Sequence, residues 1–236
     1  MFCVERAVIM AAGRGERMMP VTESVPKPLI RVNGKVLIEK LIDNLRFNGI
    51  DEIHIVTGYK SERFEYLKEG YGVDLIYNPL WNCGNNILSL FQARDHLENA
   101  MILDGDQIIN NPRILCPYFE RSGYNAVFTE SYTNEWLLTV ENGIIKSCSR
   151  TGGINGWQLF SISRWDQQTA KKLKKHLEFE VLNNHNTQLY WDDIAIFSHP
   201  DDFELGIYRM DPGDCVEIDT FKELCAVDNS YLNYGN

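Results

Sequence analysis

The chain has 236 residues, of which 44% are hydrophobic and 24% charged. That profile excludes a collagen, a coiled-coil rod and a disordered chain, and no apolar run approaches the ~20 residues that a membrane span needs. Acidic residues outnumber basic ones by 33 to 23, a net charge of −10, which argues against nucleic-acid binding because such surfaces carry a basic footprint. It leaves room for one phosphorylated ligand held by a few local cations. Six cysteines lie scattered without a C-x-x-C pair, and the five histidines show no zinc-like spacing with them. Free buried thiols in a reducing cytoplasm are the expectation. The N-terminus, MFCVERAVIMAAGRG, does not read as a secretory leader: Glu5 and Arg6 interrupt it, and the apolar stretch behind them is strand-sized.

In chain order, Ala7 to Met10 is an apolar run ending in Ala11-Ala12-Gly13, the pattern of a fully buried parallel strand. A polar, Pro-rich loop follows from Arg14 to Pro28. Val36 to Phe47 carries Leu37, Ile38, Leu41, Ile42 and Leu45 at helical spacing, and Gly49 closes it. Glu52–Val56 reads as a strand, Ser61–Glu69 as a short helix capped by Ser61, Val73–Tyr77 as a strand, Asn86–His96 as a helix and Ala100–Leu103 as a strand. This alternation predicts a mostly parallel sheet covered by helices on both faces. The second half predicts strands at Ala126–Thr129, Leu137–Val140, Ile144–Ser147, Trp157–Ser163, Glu204–Met210 and Val216–Ile218. Asp166–Leu177 and Thr220–Val227 read as helices, as does Gln188–Phe197, and the polar tail from Asp228 to Asn236 is expected to fray. The expected organisation is one domain over residues 1–236, with a nucleotide-binding half (about 1–110) and an acceptor-binding half (about 111–236). Open α/β sheets bind ligands at the carboxyl ends of their strands, which puts the site between the halves.

The strongest chemical signal is Ala11-Ala12-Gly13-Arg14-Gly15-Glu16-Arg17-Met18, followed by Pro20 and Pro26-Lys27-Pro28. Glycines let backbone N–H groups approach phosphates, and successive amides form an anion nest. Arg17 and Lys27 supply cations for a triphosphate, and Arg14 is a weaker third. A P-loop would need G-x-x-x-x-G-K-S/T, which is absent. A dinucleotide fingerprint would need a third glycine where Met18 stands. The prolines predict a long loop rather than an immediate helix. On the glycines alone, an ordinary turn is the equal alternative.

The stretch Met10–Glu39 (MAAGRGERMMPVTESVPKPLIRVNGKVLIE) resembles the nucleotidyltransferases that couple an NTP to a phosphorylated acceptor. These include the sugar-1-phosphate nucleotidylyltransferases and the bacterial CTP:phosphocholine cytidylyltransferases. The resemblance continues through Val56-Thr57-Gly58-Tyr59, Leu103-Asp104-Gly105-Asp106 and Glu217-Ile218-Asp219, so it spans most of the chain. It implies a Rossmann-like α/β/α nucleotidyltransferase fold with a mostly parallel mixed sheet, and a reaction that releases pyrophosphate.

A triphosphate attacked by a phosphate oxygen is anion meeting anion, so the chemistry asks for Mg²⁺, which takes one or two carboxylates plus phosphate oxygens and waters. The resemblance implies Asp106 as the first metal carboxylate. Asp219 matches the second carboxylate of the sugar enzymes, and Asp192, in Tyr190-Trp191-Asp192-Asp193, matches a stretch of the phosphocholine enzymes. Asp219 also precedes a helix, where an N-cap is the plain alternative, and Asp104 is either a site neighbour or a turn cap. By the same resemblance Arg17 contacts the β- and γ-phosphates and Lys27 bridges the α-phosphate and the acceptor. No general base is required, because the attacking oxygen is already ionised.

Asn78, Asn85, Asn86 and Ser89 are the candidate base pocket, because an amide side chain donates and accepts together, as a cytosine edge requires. Turn and cap chemistry is the equal alternative there. Gly58 and Tyr59 are expected beside the base. For the acceptor, Thr133-Asn134-Glu135-Trp136 resembles the phosphocholine enzymes. Aromatic faces bind a quaternary ammonium by cation–π attraction worth about 0.5–2 kcal/mol each. Trp136, Tyr190 and Trp157 are the candidate rings, with Glu217 as a carboxylate beside the ammonium; core packing is the alternative for the tryptophans. If Gln188–Phe197 is helical, Tyr190, Trp191 and Asp192 point about 100° apart in succession. They cannot share a pocket unless they sit at a helix start.

The leading expectation is a cytoplasmic, Mg²⁺-dependent cytidylyltransferase joining CTP to phosphocholine, a small-molecule enzyme of open oligomeric state. The segment Gly152–Ser161 departs from the phosphocholine pattern, so phosphoethanolamine, 2-aminoethylphosphonate and sugar 1-phosphates stay open as acceptors. An alternative of another class is a catalytically silent nucleotide-binding domain.

Overall fold

The computed structural model describes residues 1–234. Nine strands form the central sheet: β1 (Arg6–Ala11), β2 (Glu52–Thr57), β3 (Asp74–Tyr77), β4 (Ala100–Asp104), β5 (Gly123–Thr129), β6 (Leu137–Glu141), β7 (Ile144–Ser149), β8 (Gly156–Trp165) and β9 (Gly206–Arg209). Their order is β5-β9-β7-β6-β8-β4-β1-β2-β3. The run β4-β1-β2-β3 is parallel, as the alternation of strand and helix predicts. β8 joins β4 antiparallel, so both halves of the chain share one mixed sheet. β8 is long enough to face three neighbours. Its start pairs with β6, its end with β4, and its other edge with β5. Because β5 also pairs with β9, β9 with β7 and β7 with β6, the second half closes into a small hydrogen-bonded ring.

Alternation along β1 builds both layers. Ala7 and Ile9 face the helix α1 (Leu37–Phe47) with Ile38, Leu41 and Ile42. Val8 and Met10 face the opposite layer, with Leu88 and Leu90 of α3 (Ile87–Gln92) and Leu173 and Leu177 of α4 (Gln167–Glu178). The short α2 (Tyr66–Tyr71) buries Leu67 in the same layer as α1, and α5 (Phe221–Val227) packs Leu224 behind the Pro-rich loop. That loop is not slack. It makes three 3₁₀ turns, and Met18, Val21 and Ile30 bury against Ile218 and Leu224, which fixes its path across the top of the sheet.

Several local expectations are corrected. Ser61 caps nothing: the turn there begins at Lys60 in a left-handed conformation, and the predicted helix splits into a 3₁₀ turn and α2. Helical residues within Gln188–Phe197 begin only at Asp193, so Tyr190 to Asp192 lie in the turn ahead of them. The six thiols are free, but only Cys215 is buried. Residues 229–233 of the tail form a 3₁₀ turn pinned by Tyr231 Oη donating to Arg31 O (2.7 Å), rather than fraying; residues 235 and 236 lie outside the described part. Among the described residues no helix is long and apolar enough to cross a membrane.

Candidate active site

The carboxyl ends of β1 and β4 open into a cavity of about 430 Å³. Its floor is Met10, Ala11, Ala12 and Gly13, followed by Gly15 of the loop. Gly15 adopts φ +67°, and a Cβ there would meet Lys27 Cβ at 3.0 Å, so the glycine lets the loop fold back on its own lysine. Thr22 Oγ1 locks that fold by donating to Gly15 O (2.9 Å).

The fold-back delivers Lys27 into the cavity, 8% exposed, between Asp106 (2.5 Å) and Asp219 (2.9 Å). Arg17 reaches Asp219 from the solvent side at 3.2 Å. Burial alone would lower the Lys27 pKa, but the two carboxylates outweigh it and raise the pKa above the usual lysine value. Burial works to raise the Asp219 carboxyl, yet Lys27 and Arg17 hold it below the usual range. Asp219 is not the cap of α5: Thr220 is, in a capping box with Glu223. The Asp219 carboxylate is therefore free to work in the cavity.

The remaining acids are held differently. Asp104 ends β4 and is pushed well above the carboxylate range by burial and by the charges of Asp106, Glu217 and Asp192. Burial lifts Asp192 to about 7. Glu217 also rises to about 7 through burial, although Gln107 Nε2 donates to it (2.9 Å). Asp192 Oδ1 is buried with no hydrogen-bond partner. Glu135 lines the same cavity. Six carboxylates facing two basic side chains form a cation-hungry site, and an anionic ligand enters it only with a compensating cation. Hard carboxylate oxygens, one of them orphaned, are the donor set that Mg²⁺ accepts.

Trp136 and Tyr190 form the far wall, edge to face with centroids 5.8 Å apart. The turn position resolves the spacing problem of Tyr190-Trp191-Asp192. Tyr190 and Asp192 line the cavity, while Trp191 turns inward, 1% exposed, against Tyr124 and Trp165. Asn86 and Ser89 line the cavity as well. Asn86 Oδ1 accepts from Trp191 N–H (2.9 Å), and Asn85 N–H donates to Thr187 O (2.7 Å), so the two turns are laced together.

Other predicted residues do not reach the cavity wall. Trp157 packs on Phe128 and beneath Arg209, away from it. Asn78 is buried and donates to Ser89 Oγ (3.1 Å) while accepting from Leu80 N–H (2.9 Å), which is turn chemistry. Asn85 holds its own turn through Asn86 N–H (2.8 Å). Tyr59 Oη donates to Thr22 O (3.0 Å), and its ring packs on Trp81. Gly58 makes room for Trp81, whose Cβ would lie 2.4 Å from a Cβ at that position. Arg14 is exposed and pairs with Glu16 at 3.4 Å. Conversely, Met10, Pro28, Glu135, Leu159 and Ser161 line the cavity without having been singled out. Glu135 lies inside the Thr133–Trp136 stretch, and Leu159 and Ser161 both lie in the departing segment, so all three were within sight.

Residues 7–156 match the MobA-like NTP transferase domain family. The chain belongs to that family and is a nucleotidyltransferase. It is 34% identical to the choline-phosphate cytidylyltransferase of Streptococcus pneumoniae, over 97% of this chain and 99% of the relative. It is also 34% identical to the 2-aminoethylphosphonate cytidylyltransferase of Lancefieldella rimae, over 96% and 93%. The solved structure of the CTP:phosphocholine cytidylyltransferase from Streptococcus pneumoniae superposes with a TM-score of 0.87 at 31% identity, covering 95% of this chain and 98% of that one. The nucleotidyltransferase fold expected from the sequence is the one observed.

Proposed function

We propose that this nucleotidyltransferase is a cytoplasmic cytidylyltransferase that joins CTP to phosphocholine, giving CDP-choline and pyrophosphate. The observation that carries the acceptor is the Trp136–Tyr190 wall set beside Glu135, Asp192 and Glu217. Aromatic faces together with carboxylates suit a cationic headgroup, whereas a sugar would be held by hydrogen-bonding side chains. Both cytidylyltransferase relatives act on small aminoalkyl acceptors by name.

The triphosphate lies along Ala11–Gly15 with Arg17 on the β- and γ-phosphates. Lys27 turns from its carboxylates towards the α-phosphate, where it stabilises the charge that builds as the acceptor oxygen attacks. One acceptor oxygen bonds to the α-phosphorus, and the bond from that phosphorus to the bridging β-phosphate oxygen breaks. Pyrophosphate leaves with the electron pair, and no proton need move. Asp106, with Asp192 or Asp219, would hold Mg²⁺, which when bound supplies charge neutralisation at the phosphates.

Initial rates of pyrophosphate release, crossing four NTPs with phosphocholine, 2-aminoethylphosphonate, phosphoethanolamine and glucose 1-phosphate under Mg²⁺, test this. CTP with phosphocholine is expected to give the highest kcat/KM. A preference for 2-aminoethylphosphonate, the second reading favoured by the equally similar relative, would correct the acceptor alone. Nucleotide binding without turnover would overturn the reading.

A further inference from the structure

The acceptor wall has a problem of support. Tyr190 is 48% exposed and sits in a turn, so its own packing does not hold its ring. Its backbone is held instead: Asp193 Oδ2 accepts from Tyr190 N–H at 2.9 Å. Asp193 has a side chain only 2% exposed, and a carboxylate that buried needs a counter-charge. Arg150 supplies it, with Nη2 2.6 Å from Asp193 Oδ1. The same guanidinium lies over the Phe197 ring at 4.0 Å and near the Trp136 ring at 5.6 Å. Phe197 and Trp136 meet edge to face at 5.4 Å.

Arg150 is thus tied by charge to the turn that carries Tyr190 and by its plane to the rings behind Trp136. The loop that presents it is fixed in turn. Thr133 and Gly153 exchange backbone hydrogen bonds at 3.0 Å each, immediately upstream of Glu135 and Trp136. Arg150 does not line the cavity, so it touches no substrate there.

We propose that Arg150 is a positioning residue for the acceptor: through Asp193 and the Phe197 and Trp136 rings it holds Tyr190 and Trp136 as one wall. The inference rests on the proposed acceptor site and names what sets its affinity. Arg150→Gln keeps a polar side chain but removes the charge and the guanidinium plane. It should raise the acceptor KM about tenfold, a ~1.4 kcal/mol loss, with the CTP KM and kcat within about twofold of wild type. Arg150→Lys restores the charge opposite Asp193 and should recover part of the loss.

An acceptor KM unchanged in Arg150→Gln, or an equal rise in both KM values, would overturn the proposal. A second readout is independent of turnover. Hydrogen exchange at the Tyr190 amide should accelerate in Arg150→Gln, and unchanged protection would also overturn it. If wild type turns over none of the aminoalkyl acceptors, the functional reading fails, and the exchange experiment still decides whether Arg150 holds the wall.

Discussion

A lysine that is 8% exposed stays charged only with anionic partners, and Lys27 has two, Asp106 and Asp219. That contact gives Lys27 two uses. Without ligand it neutralises carboxylates that would otherwise repel; in the proposed reaction the same ammonium turns to the phosphates. Lys27→Met removes both. We expect kcat/KM to fall about 10²–10³-fold, the scale of losing one preorganised stabiliser of transition-state charge. Stability should fall by about 1–3 kcal/mol, less than for a fully buried pair because the partners are part-exposed. Steady-state kinetics and a urea titration check the two; activity within threefold of wild type would remove Lys27 from the reaction. At this scale the sequence was legible where chemistry is compressed into a motif: Arg17, Lys27 and Asp106 come together as read. It was not legible where the same residue type serves a turn. Asn78 and Asn86 look alike in sequence, but only the latter lines the cavity, because burial under Leu80 and Ser89 consumes the amide of Asn78.

The elements that shape the acceptor side are turns rather than strands. Gly152 is in a left-handed conformation (φ +73°), and a Cβ there would lie 1.8 Å from Thr133 O. Gly152→Ala therefore adds backbone strain and pushes the 150–153 loop off the Thr133–Trp136 segment. The expected cost is about 1–3 kcal/mol, or roughly 2–12 °C in Tm for a chain of this length, together with a raised acceptor KM. Thermal unfolding and acceptor kinetics test it; an unchanged Tm would mean that the loop is not under this constraint. Periodicity located β1, α1, β2 and β4 well, because a buried parallel strand and an amphipathic helix each repeat a local pattern. It could not place Trp157 outside the cavity and Trp136 on its wall. Both are tryptophans near β-strand positions, and only the closure of β5 to β9 into a ring decides which faces inward.

Across the whole molecule, acids outnumber bases, and several of the acids converge on one cavity. Asp192 and Glu217 sit at about 7 through burial, and Asp104 is pushed well above its ordinary value by burial and its acidic neighbours. For such groups the folded protein holds protons that the unfolded chain has released. Their contribution to stability therefore falls as pH rises from the ordinary carboxylate range towards 7. Asp192→Asn removes one of them. The variant should gain on wild type by more than about 1 kcal/mol between pH 5 and pH 8 in the ligand-free state. Urea midpoints across that range provide the check, and a constant difference between the two proteins would contradict the assignment. The strand and helix order and the net charge were visible in sequence, whereas the convergence of acids from β4, the 190–193 turn and the segment before α5 depends on long-range topology.

The most direct test of the cytidylyltransferase activity proposed for this chain is a competition in one vessel. The protein is supplied with Mg²⁺, equal amounts of four NTPs, and equal amounts of phosphocholine, 2-aminoethylphosphonate and glucose 1-phosphate, and the nucleotidylated products are weighed by mass spectrometry. CDP-choline is expected as the dominant product, with pyrophosphate in equal amount. A dominant nucleotide sugar, or no coupled product at all, would contradict it.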